Sequence, residues 1–112
     1  MKILVVDDNE DIADLISCYL KSRDHDVFVA YDGKEAVETF KNQKDMEYVL
    51  LDIKMPEMNG IIAYEEMKKI NSNCNFVFIS ATDDPEIEGV EFLEKPFGIK
   101  DIKRIIKEKQ DG

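Results

Sequence analysis

The sequence is short of most features that would point to a membrane, an oxidising compartment or a nucleic acid. No apolar run approaches the roughly 20 residues needed to cross a bilayer. The opening run, Ile3–Val6, meets Asp7 and Asp8 too soon for a signal peptide. Only two cysteines occur, Cys18 and Cys74, far apart and outside any CxxC or Cys/His spacing. That excludes a disulfide framework or a zinc site and suits reduced thiols in a cytoplasmic protein. Cys18 falls opposite the apolar stripe of its helix and is expected to be partly exposed. The one histidine, His25, sits in a loop with no partner pattern and is expected to face solvent. Bases are few: 15 Lys and Arg against 25 Asp and Glu give a formal net charge of −10. This disfavours direct contact with nucleic acid or an anionic membrane and leaves cations and basic protein surfaces as partners. Internal repeats, low-complexity tracts and Gly/Ser linkers are also missing.

What remains is 112 residues, 44% apolar and 36% charged, which suits one globular domain over residues 1–112 and not a disordered acidic tail. Short apolar runs alternate with amphipathic segments. Lys2–Val6 reads as a strand buried on both faces. Asp11–Lys21 places Ile12, Leu15, Ile16, Tyr19 and Leu20 at helical spacing, with acids in its first turns. Val27–Tyr31 is a second strand, and Asp32-Gly33-Lys34-Glu35 has capping-box spacing before a helix that buries Ala36, Val37 and Phe40. Tyr48–Ile53, the most apolar run, suits a central strand. Pro56 and Gly60 mark a loop before a helix over Ile61–Ile70. Phe76–Ser80 is a fourth strand and Gly89–Glu94 a short fifth. Ile99, Ile102, Ile105 and Ile106 supply the stripe of a last helix. This alternation predicts a parallel α/β sheet covered on both faces, with ligands expected outside the carboxyl ends of the strands.

Those ends carry chemistry. The first strand ends in Asp7-Asp8, the third at or beside Asp52 and the fourth at Ser80, and Lys95-Pro96 follows the fifth. Two carboxylates about 4 Å apart repel by about 4 kcal/mol at an effective dielectric of 20, so three require protons or cations. Hard oxygen ligands on a rigid edge suit Mg²⁺. Lys95 offers a second positive charge, to Asp52 or to a group attached to it, and Ser80 a hydroxyl donor. A carboxylate so placed is a plausible phosphoryl acceptor, since aspartyl phosphate is among the covalent intermediates carboxylates form.

Four segments, Ile3-Leu4-Val5-Val6-Asp7-Asp8, Leu51 through Gly60, Ile79-Ser80-Ala81 and Lys95-Pro96-Phe97, stand in order across the chain. Together they resemble the receiver domains of two-component response regulators, close to the single-domain chemotaxis type. The resemblance implies a flavodoxin-like three-layer α/β sandwich with strand order 2-1-3-4-5. It implies Asp52 as phosphoacceptor, Asp7 and Asp8 as the acidic pair holding Mg²⁺, with Asp8 the more direct ligand, and the Lys54 backbone carbonyl as a further ligand. Ser80 and Lys95 would stabilise the phosphoryl group, and Ser80 and Phe92 would act as switch residues. The implied donor is a sensor histidine kinase or phosphotransfer protein, and the output a downstream effector protein. Such a domain would catalyse only its own phosphorylation and dephosphorylation and is not expected to be an enzyme in the metabolic sense.

Each motif also has a plainer reading. Acids at a helix start are favoured by its dipole, Lys95-Pro96 can be a simple turn, and Phe92 can be ordinary core. A dehalogenase-type phosphatase would want Asp where Lys54 stands, and a flavodoxin-type cofactor binder would want a phosphate loop where Asp7 and Asp8 stand. A degenerate receiver, acting only in protein interaction, is the remaining alternative. With few residues after the fifth strand, a stand-alone regulator or a receiver excised from a longer chain is expected, with no room for a DNA-binding output domain.

Two departures from the family pattern stand out. Ala81–Glu91, with Pro85 and Gly89, is shorter than the dozen or so residues a parallel crossover needs, so the fourth helix is expected to be cut to a turn or two near Pro85–Glu88 or replaced by a loop. Output would then use a modified face, or the segment would order on phosphorylation. Lys54 projects near the site, and a slowly hydrolysing phosphoform is expected. The charge is also uneven. Residues 7–14 and 83–91 each hold five acids and no base, whereas Lys100–Lys109 is locally basic.

Overall fold

The computed structural model describes residues 1–106; Lys107 and Lys109 of the basic stretch lie outside them. The elements run β1 (Lys2–Val6), α1 (Glu10–Ser22), β2 (Asp26–Ala30), α2 (Gly33–Asn42), β3 (Tyr48–Asp52), α3 (Gly60–Ile70), β4 (Asn75–Ser80), β5 (Glu91–Glu94) and α4 (Ile99–Ile105). The five strands form one parallel sheet in the order β2-β1-β3-β4-β5, as the resemblance implied.

Strand side chains alternate between faces, so the sheet divides the core in two. Val49 and Leu51 of β3 join Ala36, Val37 and Phe40 of α2 and Ala63, Tyr64 and Met67 of α3. On the opposite face, Tyr48 and Leu50 join Ala13, Ile16 and Leu20 of α1 and Ile102 and Ile105 of α4. Every residue of β3 is buried, which explains its unbroken apolar run. Tyr64 meets Phe76 and Phe78 of β4 edge-on, with ring centroids 5.0 and 5.6 Å apart, a favoured aromatic geometry.

Short polar side chains start the first three helices. The side-chain oxygens of Asn9, Asp32 and Asn59 accept from the backbone N–H groups of Ile12, Glu35 and Ile62. The predicted capping box is shifted by one residue: the Glu35 carboxylate accepts from Tyr31 N at 2.7 Å and not from the cap residue itself. That contact draws Tyr31 off the end of β2, while pairing with Lys2 brings Asp26 in at its start.

One expectation is corrected, and of the two paths expected between β4 and β5 the structure takes the loop. His25 is half-buried, and its Nδ1 lies 3.1 Å from the Met1 amino nitrogen, so the ring is not a free surface group. No helix forms between β4 and β5. Residues 81–90 are irregular, with a turn closed by Val90 N donating to Ile87 O at 3.2 Å. Asp84 Oδ1 accepts from Glu86 N at 2.7 Å, and Glu86 and Gly89 take positive φ of 55° and 81°. A local side-chain acceptor and two left-handed residues divert the backbone from a helical path. Ile87 and Val90 still pack on the α2/α3 side of the core. Cys18 is exposed and Cys74 buried, both as free thiols. Among the described residues no helix is long and apolar enough to cross a membrane.

Candidate functional site

Four strand ends converge as the alternation predicted. Asp7 follows β1 and is 2% exposed, Asp52 closes β3 at 5%, and Ser80 closes β4 at 1%; Asp8 is exposed. Carboxylate oxygens of Asp7, Asp8 and Asp52 all lie within 4.8 Å of one another. Three hard, anionic oxygen donors at that spacing suit a small divalent cation such as Mg²⁺.

The loop after β3 holds Asp52 in place through a close backbone approach. Gly60 N donates to Ile53 O at 2.7 Å. A Cβ at residue 60 would collide with the Asp52 carbonyl and stand 2.8 Å from Ile53 Cα. Gly60 is therefore part of the site's foundation, and not only the loop marker that the sequence suggested.

Lys95 reaches across from the end of β5. Its Nζ lies 2.8 Å from Asp7 Oδ2 and 3.6 Å from Asp52 Oδ2. The expected partner was Asp52 or a group on it, but the tighter pairing is with Asp7. Asp7 Oδ1 accepts from Asn9 N at 2.9 Å, so both Asp7 oxygens are engaged. Burial opposes the charge on Lys95, but the Asp7 and Asp52 carboxylates outweigh it and hold the ammonium above its ordinary range.

Asp52 is the strained partner. Burial, then the Asp7 charge, push its carboxyl from an ordinary 3.8 up to about 6; Lys95 and the Ile53 backbone N–H pull it down, and Asp8 adds to the rise. A buried carboxylate with more negative than positive neighbours favours whatever brings positive charge to it.

The remaining residues take varied positions. Lys54 is exposed and forms no ion pair with the described residues; its backbone lies two positions beyond Asp52. Phe92 of β5 is half-buried against the α2/α3 face of the core. The Ser80 hydroxyl turns to Thr82: the two hydroxyl oxygens are 2.8 Å apart, and Thr82 N donates to Ser80 Oγ at 3.1 Å. Thr82 and Asn9 were both missed from the sequence. The Ser-x-Thr spacing and an Asn directly after a strand-end acid pair were the available signals.

A five-stranded parallel sheet with three acids, a lysine and a serine at its carboxyl edge defines the class of receiver domains. The family model for the response regulator receiver domain matches residues 3–107, and the chain belongs to that family. Response regulator SaeR of Staphylococcus aureus is 29% identical over 107 residues, covering 89% of this chain and 46% of that protein. The chain thus spans about half the length of the curated relatives it matches. The receiver domain of the hybrid histidine kinase CckA is similar at 27% identity and a TM-score of 0.86, covering 96% of both chains. Response regulator TrrA of Thermotoga maritima, solved in complex with Mg²⁺-BeF, is 27% identical with a TM-score of 0.84, covering 95% of this chain and 96% of that one.

Proposed function

We propose that this receiver is phosphorylated on Asp52 and signals by the conformational change that follows. The observation that carries the reading is the placement of Asp52: buried, destabilised as an anion, and flanked by the Asp7–Lys95 pair. The donor is a phosphohistidine on a sensor histidine kinase or phosphotransfer protein. An Asp52 carboxylate oxygen attacks phosphorus, the O–P bond forms as the N–P bond breaks, and the imidazole nitrogen retains the bonding pair and takes up a proton. Lys95 supplies positive charge beside the transferred group, and Ser80 a hydroxyl able to donate to one of its oxygens. Asp7, Asp8, Asp52 and the Lys54 carbonyl would hold Mg²⁺, which would supply positive charge to offset that of the carboxylates and of the phosphoryl oxygens. Phe92, packed at the edge of the core, follows Ser80 in the switch.

On this reading the chain catalyses only its own phosphorylation and dephosphorylation, acts in the cytoplasm and passes its signal to a protein partner without contacting nucleic acid itself. The similar TrrA was solved in complex with Mg²⁺-BeF, a phosphoryl mimic, which supports reading this site as a Mg²⁺-assisted phosphoryl acceptor. The test is incubation with acetyl phosphate and Mg²⁺, read by intact mass, beside Asp52→Ala. An adduct of one phosphoryl mass on the parental chain alone is expected. Equal labelling of both chains, or of neither, removes Asp52 as acceptor and leaves an interaction module.

A further inference from the structure

We infer that Thr82 is a positioning residue that latches Ser80 in the resting state, so that phosphorylation must release residue 82 and the segment that begins there. The inference rests on the proposed phosphorylation of Asp52 and concerns how that event leaves the site.

Ser80 is 1% exposed, and its backbone is pinned by Lys95 N donating to Ser80 O at 2.8 Å. Movement of its hydroxyl is therefore a rotation about one side-chain bond. In the resting structure that hydroxyl is held twice by one residue, through Thr82 Oγ1 at 2.8 Å and Thr82 N at 3.1 Å. A serine hydroxyl has one proton and two lone pairs. Donation to Thr82 Oγ1 with acceptance from Thr82 N uses the proton and one pair. To donate to a phosphoryl oxygen on Asp52, Ser80 must turn from Thr82 and give up both contacts.

Thr82 gives up as much. It begins the irregular segment, where no helix or sheet ladder takes its N–H, and the Ser80 hydroxyl is that group's acceptor. Thr82 also lines an open cleft of about 630 Å³ with Asp83, Asp84 and Phe92. Turning Ser80 thus frees a backbone amide at the lip of a cleft that Phe92 shares. The half-buried Thr82 can rehydrate at little cost, so the two states lie close enough in free energy for a phosphoryl group to shift the balance.

One hydroxyl hydrogen bond of net worth changes an equilibrium by roughly 2- to 12-fold. Thr82→Val keeps the branched shape and removes the hydroxyl. It is expected to bind beryllofluoride with Mg²⁺ that much more tightly than the parental chain, with Thr82→Ser restoring the parental midpoint. In a Ser80→Ala background the same Thr82→Val change should have no effect, since the latch has lost its partner. Hydrogen exchange supplies an independent readout: the Thr82 amide of the parental chain should exchange faster once beryllofluoride is bound.

An unchanged midpoint in Thr82→Val, failure of Thr82→Ser to restore it, or an undiminished effect without Ser80 each overturns the latch. So does a Thr82 amide that exchanges no faster with the analogue bound. A parental chain that, like Asp52→Ala, shows no response to beryllofluoride overturns the phosphorylation reading first, and the latch with it.

Discussion

The carboxylate cluster leaves a measurable debt in folding stability, and Asp52→Asn should release it. Asn keeps the size and polarity of the side chain and removes its charge. The folded chain lifts the Asp52 carboxyl from 3.8 to about 6, chiefly through burial and the Asp7 charge. A shift of roughly two units at 1.36 kcal/mol each puts the cost of holding Asp52 ionised at about 3 kcal/mol. The attraction of Lys95 is already counted within that shift. Asn must also replace the carboxylate's bond with the Ile53 N–H, so the expected gain is about 1 to 3 kcal/mol. For a folded pKa above the unfolded one, stability is fully present below the unfolded value and lost as pH rises through the folded value. Parental and variant chains should therefore be nearly equal in stability near pH 4. They should diverge between about pH 4 and 6 and stay apart above it.

The assay is urea unfolding in EDTA at pH 4, 5, 6 and 7.5, followed by far-ultraviolet circular dichroism. Added Mg²⁺ should narrow the gap by stabilising the parental chain more, by about 1.4 kcal/mol when the cation stands at ten times its Kd. An Asp52→Asn chain no more stable than the parent at pH 7.5 in EDTA would refute the reasoning, because the cluster would then carry no excess negative charge. A gain unchanged down to pH 4 would assign the effect to packing, not ionisation.

Two further substitutions probe the foundation and the rim of the site. Gly60→Ala forces a Cβ against the Asp52 carbonyl and should destabilise the fold by about 1 to 3 kcal/mol in urea unfolding; a neutral result would mean the start of α3 can retreat from β3. Lys54→Ala removes an exposed cation two residues from Asp52 and should speed loss of the phosphoryl label by roughly 2- to 5-fold, the scale of an exposed charge contact. A label as long-lived as the parent's assigns slow hydrolysis elsewhere.

The sequence exposed the sheet because parallel strands buried on both faces need unbroken apolar runs, as in β3, where alternation cannot blur the signal. Strand ends were legible too, since Asp7, Asp52 and Ser80 each interrupt an apolar run and Lys95-Pro96 follows the short fifth strand. Pairing within the site was not. Whether Lys95 prefers Asp7 or Asp52 turns on 2.8 against 3.6 Å, a difference of side-chain placement with no counterpart in spacing along the chain. His25 was misjudged for a related reason, since its neighbour Met1 is reached across the sheet edge and not along the chain.

The segment 81–90 shows where pattern reading stops. Its length bounded the answer, because so short a connection has little room for a helix as well as a return to the sheet. The path itself depends on three local choices: the Asp84 acceptor, the positive φ of Glu86 and the Gly89 turn. None has a periodic signature. Their result is that Ile87 and Val90 close the α2/α3 side of the core, which leaves Asp83, Asp84, Glu86 and Glu88 on the surface. The acidity of this stretch therefore belongs to the connection that replaces the helix. The Asp7–Asp8–Asp52 acidity belongs to the site, and Ser80 is held to the start of the connection by Thr82. Two excesses of the same sign thus have different origins: one is a carboxylate cluster spaced to suit a cation, and the other lines the connection that begins beside Thr82.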